Sequence, residues 1–279
     1  MKRQWRPLYD SANYRQHRFL NLSETPVMEK GMSLRKIFYD YFNRPASTQP
    51  SAPLPSVRTD LRSLYSEKPV IVWFGHSSYL LHYKGINILV DPVFNGYASP
   101  LPWMVKAFPG ANVYSAADMP HIDILLITHN HYDHLDKHTL RQLLPNVSSC
   151  YAPLGVGRDL PCSHNDMPIT EMDWWETLQP AEQVQLTATP ARHFSGRGFR
   201  RGGSLWASYV LHLYGYTIYV GGDSGYDTHF SKIGEQYGPF DIAMLECGQY
   251  NPGWPYIHMF PEQALQAGKD LRAKAIMPV

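Results

Sequence analysis

Residues 124–136 read ILLITHNHYDHLD and hold the pattern that decides the fold. An apolar run from Ile124 to Ile127 is followed by three histidines and an aspartate within six positions. Such a run is typical of a buried strand whose end carries polar side chains to the edge of a sheet. Apolar positions then recur at helical spacing from Leu135 to Leu144. The segment therefore predicts a strand, a turn and a helix, with the histidines on the turn.

The polar side chains of this turn have the chemistry of metal ligands. Neutral imidazoles and carboxylates bind divalent metals such as Zn²⁺, and a catalytic metal needs about three protein ligands and an open position for water. His129 and His131 can face one metal, while Asp133 and His134 can face a second. The alternative is a helix start capped by Asp133 or Asp136. Because one cap would not need four ligand-type residues, we favour a metal site.

Composition limits the class of protein. The chain has 279 residues, 44% of them hydrophobic, which is enough for one large domain or two fused halves. A net charge of +1 argues against nucleic acid as a partner. The three cysteines form no Cys-x-x-Cys pair, so they predict neither a disulfide framework nor a cysteine metal site. With no secretory signal and no membrane-length apolar run, the sequence predicts a cytoplasmic protein and leaves its oligomeric state open.

Residues 1–60 differ in composition from the rest and predict an N-terminal extension. Within it, residues 31–42 predict an amphipathic helix whose apolar face consists of Leu34, Ile37, Phe38 and Tyr41. A proline-rich piece, residues 45–55, predicts an extended connector. We favour a helix that packs on the main domain. The alternative is that its aromatic face borders a lipid-accepting groove or makes peripheral contact with a membrane.

Predicted strands in the first half of the domain also end at polar residues. Residues 69–75, 79–83 and 86–90 predict a hairpin meander with a tight two-residue turn between the last two strands. His76 and Asp91 follow strands of this meander. Each is equally explained as a turn residue, and Asp91 precedes a proline, which favours a turn by itself.

The second half repeats this arrangement. Residues 184–190 alternate like a half-buried strand and lead to His193. Residues 209–213 and 216–220 predict a hairpin that leads to Asp223, which two glycines precede. Alternatively, His193 is a structural histidine and Asp223 a turn residue. Because the histidine turn already predicts a metal site, we favour a role as metal ligand for both. Glycines let the backbone approach closely, as a metal-contacting loop requires.

Together these motifs resemble a known family. The segments that carry the resemblance are WFGHS at 73–77, ILVDPVF at 88–94, the His-x-His-x-Asp-His turn, PARHFSGR at 190–197 and GGDSGY at 221–226. They resemble the metallo-β-lactamase-fold hydrolases, in the branch that contains N-acyl-phosphatidylethanolamine phospholipase D and its bacterial relatives. The resemblance implies an α/β fold, a four-layer αβ/βα sandwich of two mixed sheets flanked by helices. It assigns residues 61–279 to this domain.

The resemblance also implies two metal ions and assigns roles to side chains. One ion would be held by His129, His131, His193 and Asp223, and the other by Asp133, His134, Asp223 and one further histidine. Asp223 would bridge the two ions, and His258 matches a substrate-side histidine. His76 and Asp91 are expected to support the ligands or to contact substrate. The further histidine would directly follow Val279, so we expect the sequence to be truncated.

The expected activity is hydrolysis by a metal-activated water that Asp133 orients, with His258 as a second catalytic residue. A phosphodiester bond of a phospholipid-like substrate is the first expectation. A lactonase acting on a sugar phosphate or another carbonyl ester is the enzymatic alternative, and a metal-binding regulatory protein with an impaired site is the third. Zn²⁺ fits the ligand types best, with Mn²⁺ or iron as alternatives.

Overall fold

The structure is a computed structural model that describes residues 7–33, 35, 39, 42–99, 105–161, 167–198, 200–248 and 251–279. The four apolar positions of the predicted N-terminal helix, Leu34, Ile37, Phe38 and Tyr41, lie outside the described residues. Within them, no helix combines the length and apolarity that crossing a lipid bilayer requires.

Two six-stranded sheets form the body of the protein. An N-terminal hairpin supplies β1 (Tyr14–Arg15) and β2 (Arg18–Phe19). The first sheet consists of β3 (Val70–Trp73), β4 (Tyr79–Tyr83), β5 (Ile86–Val90), β6 (Ile122–Leu126), β7 (Val147–Pro153) and β8 (Ile169–Met172). The second consists of β9 (Thr177–Ala181), β10 (Val184–Thr189), β13 (Ser208–Leu213), β14 (Tyr216–Val220), β15 (Ile242–Leu245) and β16 (Ile276–Pro278). A small hairpin lies between β10 and β13, with β11 at Gly196–Arg197 and β12 at Arg200–Arg201.

Within the described residues, three short α-helices have defined bounds. They are α1 (Lys137–Leu143), α2 (His229–Tyr237) and α3 (Pro261–Asp270). Single 3₁₀ turns occur at Leu8–Asp10, Ala46–Thr48, Leu61–Ser63, Ala116–Asp118, Leu144–Asn146 and Val156–Arg158. The predicted helix start at Leu135 is wrong by two residues, because Asp136 accepts a hydrogen bond from the His138 N–H and caps α1 there (2.9 Å).

Both sheets are mixed, and each has antiparallel strands on one side and parallel strands on the other. In the first, β3, β4 and β5 are antiparallel neighbours, and β5 to β8 are parallel. In the second, β9, β10, β13 and β14 are antiparallel, and β14 to β16 are parallel. The predicted hairpin turns are confirmed at Lys84-Gly85 and Tyr214-Gly215, where all four residues have positive φ.

Side chains alternate between two buried faces in each sheet, which produces four layers. In β4, Leu81 faces the second sheet while Leu80 packs beneath α1; in β14, Val220 faces the first sheet while Tyr219 packs against α2. Tyr209 also links the sheets by donating a hydrogen bond to the Ile127 carbonyl (2.8 Å). The predicted four-layer αβ/βα sandwich is therefore confirmed, with two mixed sheets face to face and helices outside.

The N-terminal segment packs on this body. Leu8 and Phe19 are buried in the cluster that fills the space between the sheets. The connector at residues 45–55 contains largely exposed residues, and the Leu54 N–H donates to the Pro109 carbonyl (2.8 Å). The division into residues 1–60 and 61–279 remains a prediction, to which the structure adds that the first segment completes the central core.

Candidate metal centre

The predicted site residues meet at one rim of the sandwich because they follow the carboxyl ends of neighbouring strands. Asp91 follows β5, and residues 128–134 follow its parallel neighbour β6. Asp223 follows β14, and Glu246 directly follows its parallel neighbour β15. His193 lies beyond β10 on the loop toward β11. The carboxyl ends of parallel strands are a general position for ligand sites in open α/β sheets.

Three histidines form the first group of ligand-type nitrogens. His131 Nδ1 lies 2.9 Å from His129 Nε2 and 3.2 Å from His193 Nε2. Tetrahedral nitrogen ligands about 2.0–2.1 Å from a zinc ion are about 3.3 Å from one another. The three nitrogens therefore have approximately the spacing of one coordination sphere.

Burial keeps this first group uncharged. Desolvation lowers the pKa of His131 to about 4, and it holds the pKa of both His129 and His193 well below the usual value. Mutual repulsion among the imidazoles acts in the same direction for His129. Neutral imidazole is the form that binds a metal, so at pH 7 these side chains have the protonation state that a cation requires.

The second group is built around His134, which is fully buried. Its Nδ1 lies 2.8 Å from Asp91 Oδ2, and Asp91 also accepts a hydrogen bond from the Thr128 N–H (2.8 Å). Burial works to lower the pKa of His134, but the carboxylates of Asp223 and Asp91 outweigh it and raise the pKa well above its usual value. Asp91 thus orients the ring so that Nε2 faces the rim.

His76 and Asp133 extend this group toward solvent. His76 Nε2 lies 3.5 Å from Asp133 Oδ2, and the side chains are 46% and 27% exposed. The Ser77 N–H donates to His76 Nδ1 (2.8 Å), which leaves the proton of a neutral ring on Nε2, facing Asp133. Burial works to raise the pKa of Asp133, but contact with His76 and the charge of His134 outweigh it and lower the pKa.

Asp223 lies between the two groups. Its Oδ1 is 3.1 Å from His134 Nε2, and its Oδ2 is 3.7 Å from His193 Nε2. A Cβ on Gly222 would lie 2.8 Å from the Thr128 Cβ, so glycine is needed where this loop passes the histidine turn. The carboxylate therefore has one oxygen toward each group, which is the arrangement that a bridging ligand requires.

His258 lies on the far side of Asp223, beside a buried glutamate. Its Nδ1 is 3.8 Å from Asp223 Oδ2 and 3.6 Å from Glu246 Oε1. Burial raises the pKa of Glu246, whose carboxylate accepts a hydrogen bond from the Met259 N–H (2.7 Å). Burial works to lower the pKa of His258, but Glu246 and Asp223 outweigh it and raise the pKa.

The donor set fits a metal. Groups of three ligand-type side chains have all their donor atoms within 4.8 Å of one another: His129, His131 and His193; His76, Asp133 and His134; His129, His134 and Asp223; His193, Asp223 and His258. The buried His134 Nε2 and His258 Nδ1 have ligand-type carboxylates as their neighbours, Asp223 Oδ1 at 3.1 Å and Glu246 Oε1 at 3.6 Å. Imidazole nitrogens and carboxylate oxygens that meet in this way are the donor types that divalent metals such as Zn²⁺ bind.

The structure brings together all the predicted site residues, and it adds three. Thr128 and Glu246 touch predicted ligands or their supports, and Asn21 contacts the backbone of His193. Glu246 could have been found, because it directly follows the apolar run 242–245, as the rule for the other strand ends suggests. Asn21 carries no such signal, since it lies in a polar segment far from any motif.

A two-sheet sandwich with a rim of histidines and aspartates defines a metal-binding α/β protein. A family model described as a beta-lactamase superfamily domain matches residues 86–279. The chain belongs to this superfamily, and it is a metal-dependent hydrolase with the metallo-β-lactamase fold.

Individual relatives agree with this assignment. An uncharacterized protein of Mycobacterium tuberculosis strain H37Rv is 35% identical over 264 residues, which cover 94% of this chain and 71% of that protein. The mitochondrial N-acyl-phosphatidylethanolamine-hydrolyzing phospholipase D of Saccharomyces cerevisiae is 34% identical over 220 residues, covering 74% of this chain and 46% of that enzyme. A metallo hydrolase from Ignicoccus hospitalis shares the fold, with a TM-score of 0.55, 24% identity, and coverage of 75% of this chain and 80% of its own.

Proposed function

We propose that this protein uses two divalent metal ions, Zn²⁺ by ligand type, to hydrolyse a phosphodiester bond in a phospholipid-like substrate. The observation that carries the proposal is the position of Asp223, whose two oxygens face two separate groups of ligand-type side chains. A pair of cations needs such a bridging carboxylate, whereas a single structural ion does not.

The ligands divide between the two groups. His129, His131 and His193 would hold the first ion, and Asp133 and His134 would hold the second, with Asp223 shared. When bound, divalent cations lower the pKa of a water molecule and polarise a phosphoryl or carbonyl oxygen.

Two side chains are suited to handle protons on opposite sides of this centre. Asp133 Oδ2 lies 3.5 Å from His76 Nε2, and the side chain is partly exposed, so it can orient an attacking water. His258 lies beyond Asp223, and its raised pKa favours the protonated ring. It can therefore donate a proton to the leaving oxygen, while Asp91 takes no direct part because it is fully buried beneath His134.

Two observations support a lipid-like substrate. The yeast relative is named for hydrolysis of a phospholipid headgroup. In this chain, Trp73 is 49% exposed, and its indole N–H donates to the carbonyl of His76 (2.6 Å), so an exposed aromatic ring borders the centre. Val105 and Phe108 are also exposed, on the loop whose residue Ala111 lies against Gly75. Such apolar side chains favour peripheral contact with a membrane surface or an acyl chain.

The test combines metal analysis with a substrate comparison. The zinc-loaded protein is incubated with N-acyl-phosphatidylethanolamine in mixed micelles, and the release of a phosphatidate-type product is measured by mass spectrometry. We expect about two metals per chain and loss of product formation on chelation. His131→Ala should lose the metal of the first group and product formation, while His138→Ala, a change of an exposed histidine on α1, should keep metal content and product formation.

Two outcomes would contradict the proposal. Opening of a lactone substrate without any phosphodiester cleavage would replace the phosphodiesterase by the carbonyl-ester alternative. Full turnover in His131→Ala would refute the assignment of the metal centre.

A further inference from the structure

The N-terminal segment reaches the candidate metal centre through one side chain. The Asn21 amide donates from Nδ2 to the His193 carbonyl (2.7 Å), and the Asn21 Oδ1 accepts from the His193 N–H (3.1 Å). Both backbone polar groups of His193 are therefore bound by the same amide, in the manner of a paired strand. The two residues are separated by 172 positions in the sequence.

Asn21 is itself held in place by the segment that precedes it. The Phe19 N–H donates to the Gly202 carbonyl (2.9 Å), and the Leu20 N–H donates to the Asn13 carbonyl (3.0 Å). The Phe19 side chain is buried in the central core. A buried anchor and two backbone hydrogen bonds thus fix the position from which the Asn21 amide reaches His193.

His193 needs this support because its peptide lies on a loop between β10 and β11. The Ile257 carbonyl lies 2.9 Å from its Nδ1, which fixes the proton on that nitrogen and aims Nε2 at His131. Ring rotation is thereby defined by Ile257, while the position of the backbone is defined by Asn21. Contacts that orient a metal ligand contribute to metal affinity, so a contact that fixes the peptide of His193 is expected to do so as well.

We infer that Asn21 is a positioning residue of the metal centre and that the N-terminal segment is part of that centre. The inference rests on the proposed role of His193 as a metal ligand. Removal of the Asn21 amide frees the His193 peptide, so Nε2 samples positions outside the coordination sphere and the metal dissociates more easily.

The experiment measures the zinc affinity of the full chain by competition with a chromophoric chelator. His193→Ala identifies the zinc-binding step that depends on His193. Asn21→Ala should weaken the zinc affinity of the same step by about tenfold. Asn21→Asp, which keeps the shape but sets a carboxylate oxygen against the His193 carbonyl, should weaken it as well. The matched control is Asn13→Ala, on the same hairpin, whose side chain binds Asp173 instead of the centre. Thermal unfolding of each metal-free variant separates this effect from a general loss of stability.

The outcomes are distinct. Weaker zinc binding in both Asn21 variants, at unchanged affinity in Asn13→Ala, supports the inference. Wild-type affinity in either Asn21 variant, or an equal loss in Asn13→Ala, overturns it while the ligand assignment stands. Wild-type affinity in His193→Ala overturns the ligand assignment and this inference with it.

Discussion

The two groups of ligand-type side chains differ in charge although they share one rim. The first consists of the buried His129 and His193 and the partly buried His131, whose pKa values are all lowered, with one oxygen of Asp223 at 3.7 Å from His193. In the second, His134 lies between the carboxylates of Asp91 and Asp223, at 2.8 and 3.1 Å, and its pKa is raised. The lowered pKa values favour neutral imidazoles in the first group, whereas the raised pKa of His134 favours a protonated imidazole in the second.

This difference predicts unequal binding of two metals. An ion at the first group meets neutral nitrogens and displaces no imidazolium proton. An ion at the second must displace the proton of His134, because a coordinating histidine is neutral. We therefore expect the first metal to bind more tightly at neutral pH, and the second to bind better as the pH rises.

The largest effect should come from His131→Ala. It removes the nitrogen that lies between the other two histidines of the first group, so the tighter metal is lost and hydrolysis falls by several orders of magnitude. Metal content by elemental analysis and product formation measure both effects. Asp133→Ala should instead keep the first metal, and loss of both metals in Asp133→Ala would break the distinction between the groups.

A smaller and more selective effect is expected for Asp91→Asn. The change removes the charge that orients His134 while keeping the size of the side chain, so affinity for the second metal should fall by about 10- to 100-fold. Zinc titration resolves the two steps. Asp173→Asn is the control, because that buried aspartate binds Asn13 and the Trp174 N–H instead of the centre. Equal weakening of both steps in Asp91→Asn would mean that the two groups act as one.

Stability of the metal-free protein should pass through a maximum near pH 6.5. Above that pH, unfolded histidines are neutral while His134 and His258 keep their protons in the folded state, so the free energy of unfolding decreases by up to about 1.4 kcal/mol per pH unit for each proton. Below that pH, His129, His131 and His193 are protonated in the unfolded state but stay neutral in the folded state. The free energy of unfolding therefore decreases again as the pH falls.

Urea unfolding from pH 5 to 9 in the presence of a chelator measures this profile. His134→Gln should reduce the alkaline slope and leave the acidic one. An unchanged alkaline slope in that variant would show that His134 does not carry the extra proton.

The smallest effect separates two aspartates that are three residues apart. Asp136 caps α1, so Asp136→Ala should lower the free energy of unfolding by about 1 kcal/mol and leave both metals in place. Asp133→Ala should instead lose the metal of the second group, while the cap of α1 stays in place. Metal loss in Asp136→Ala would mean that the helix start also holds the ligands in position.

Much of this arrangement was predictable because it is local. The strands at 79–83 and 86–90 were predicted with their observed bounds, since short apolar segments and tight turns act over a few residues. The choice between a cap and a ligand in the histidine turn was only half determined. Asp136 does cap the helix, while Asp133 lies beside His76 and His134, and only the folded backbone separates these roles.

The sequence by itself determined the strand segments and the identity of the side chains at the strand ends, because burial patterns and ligand chemistry are properties of short segments. The four-layer arrangement followed from the resemblance of the motifs to a known family. The tertiary structure alone decided which of these side chains lie close enough to share a metal. It also decided that Asp91 is buried against His134 while His76 is half-exposed beside Asp133, and that Asn21 binds His193. The contacts of Asp91 with His134 and of Asn21 with His193 join residues 43 and 172 positions apart, and pairings over such distances depend on how the two sheets pack.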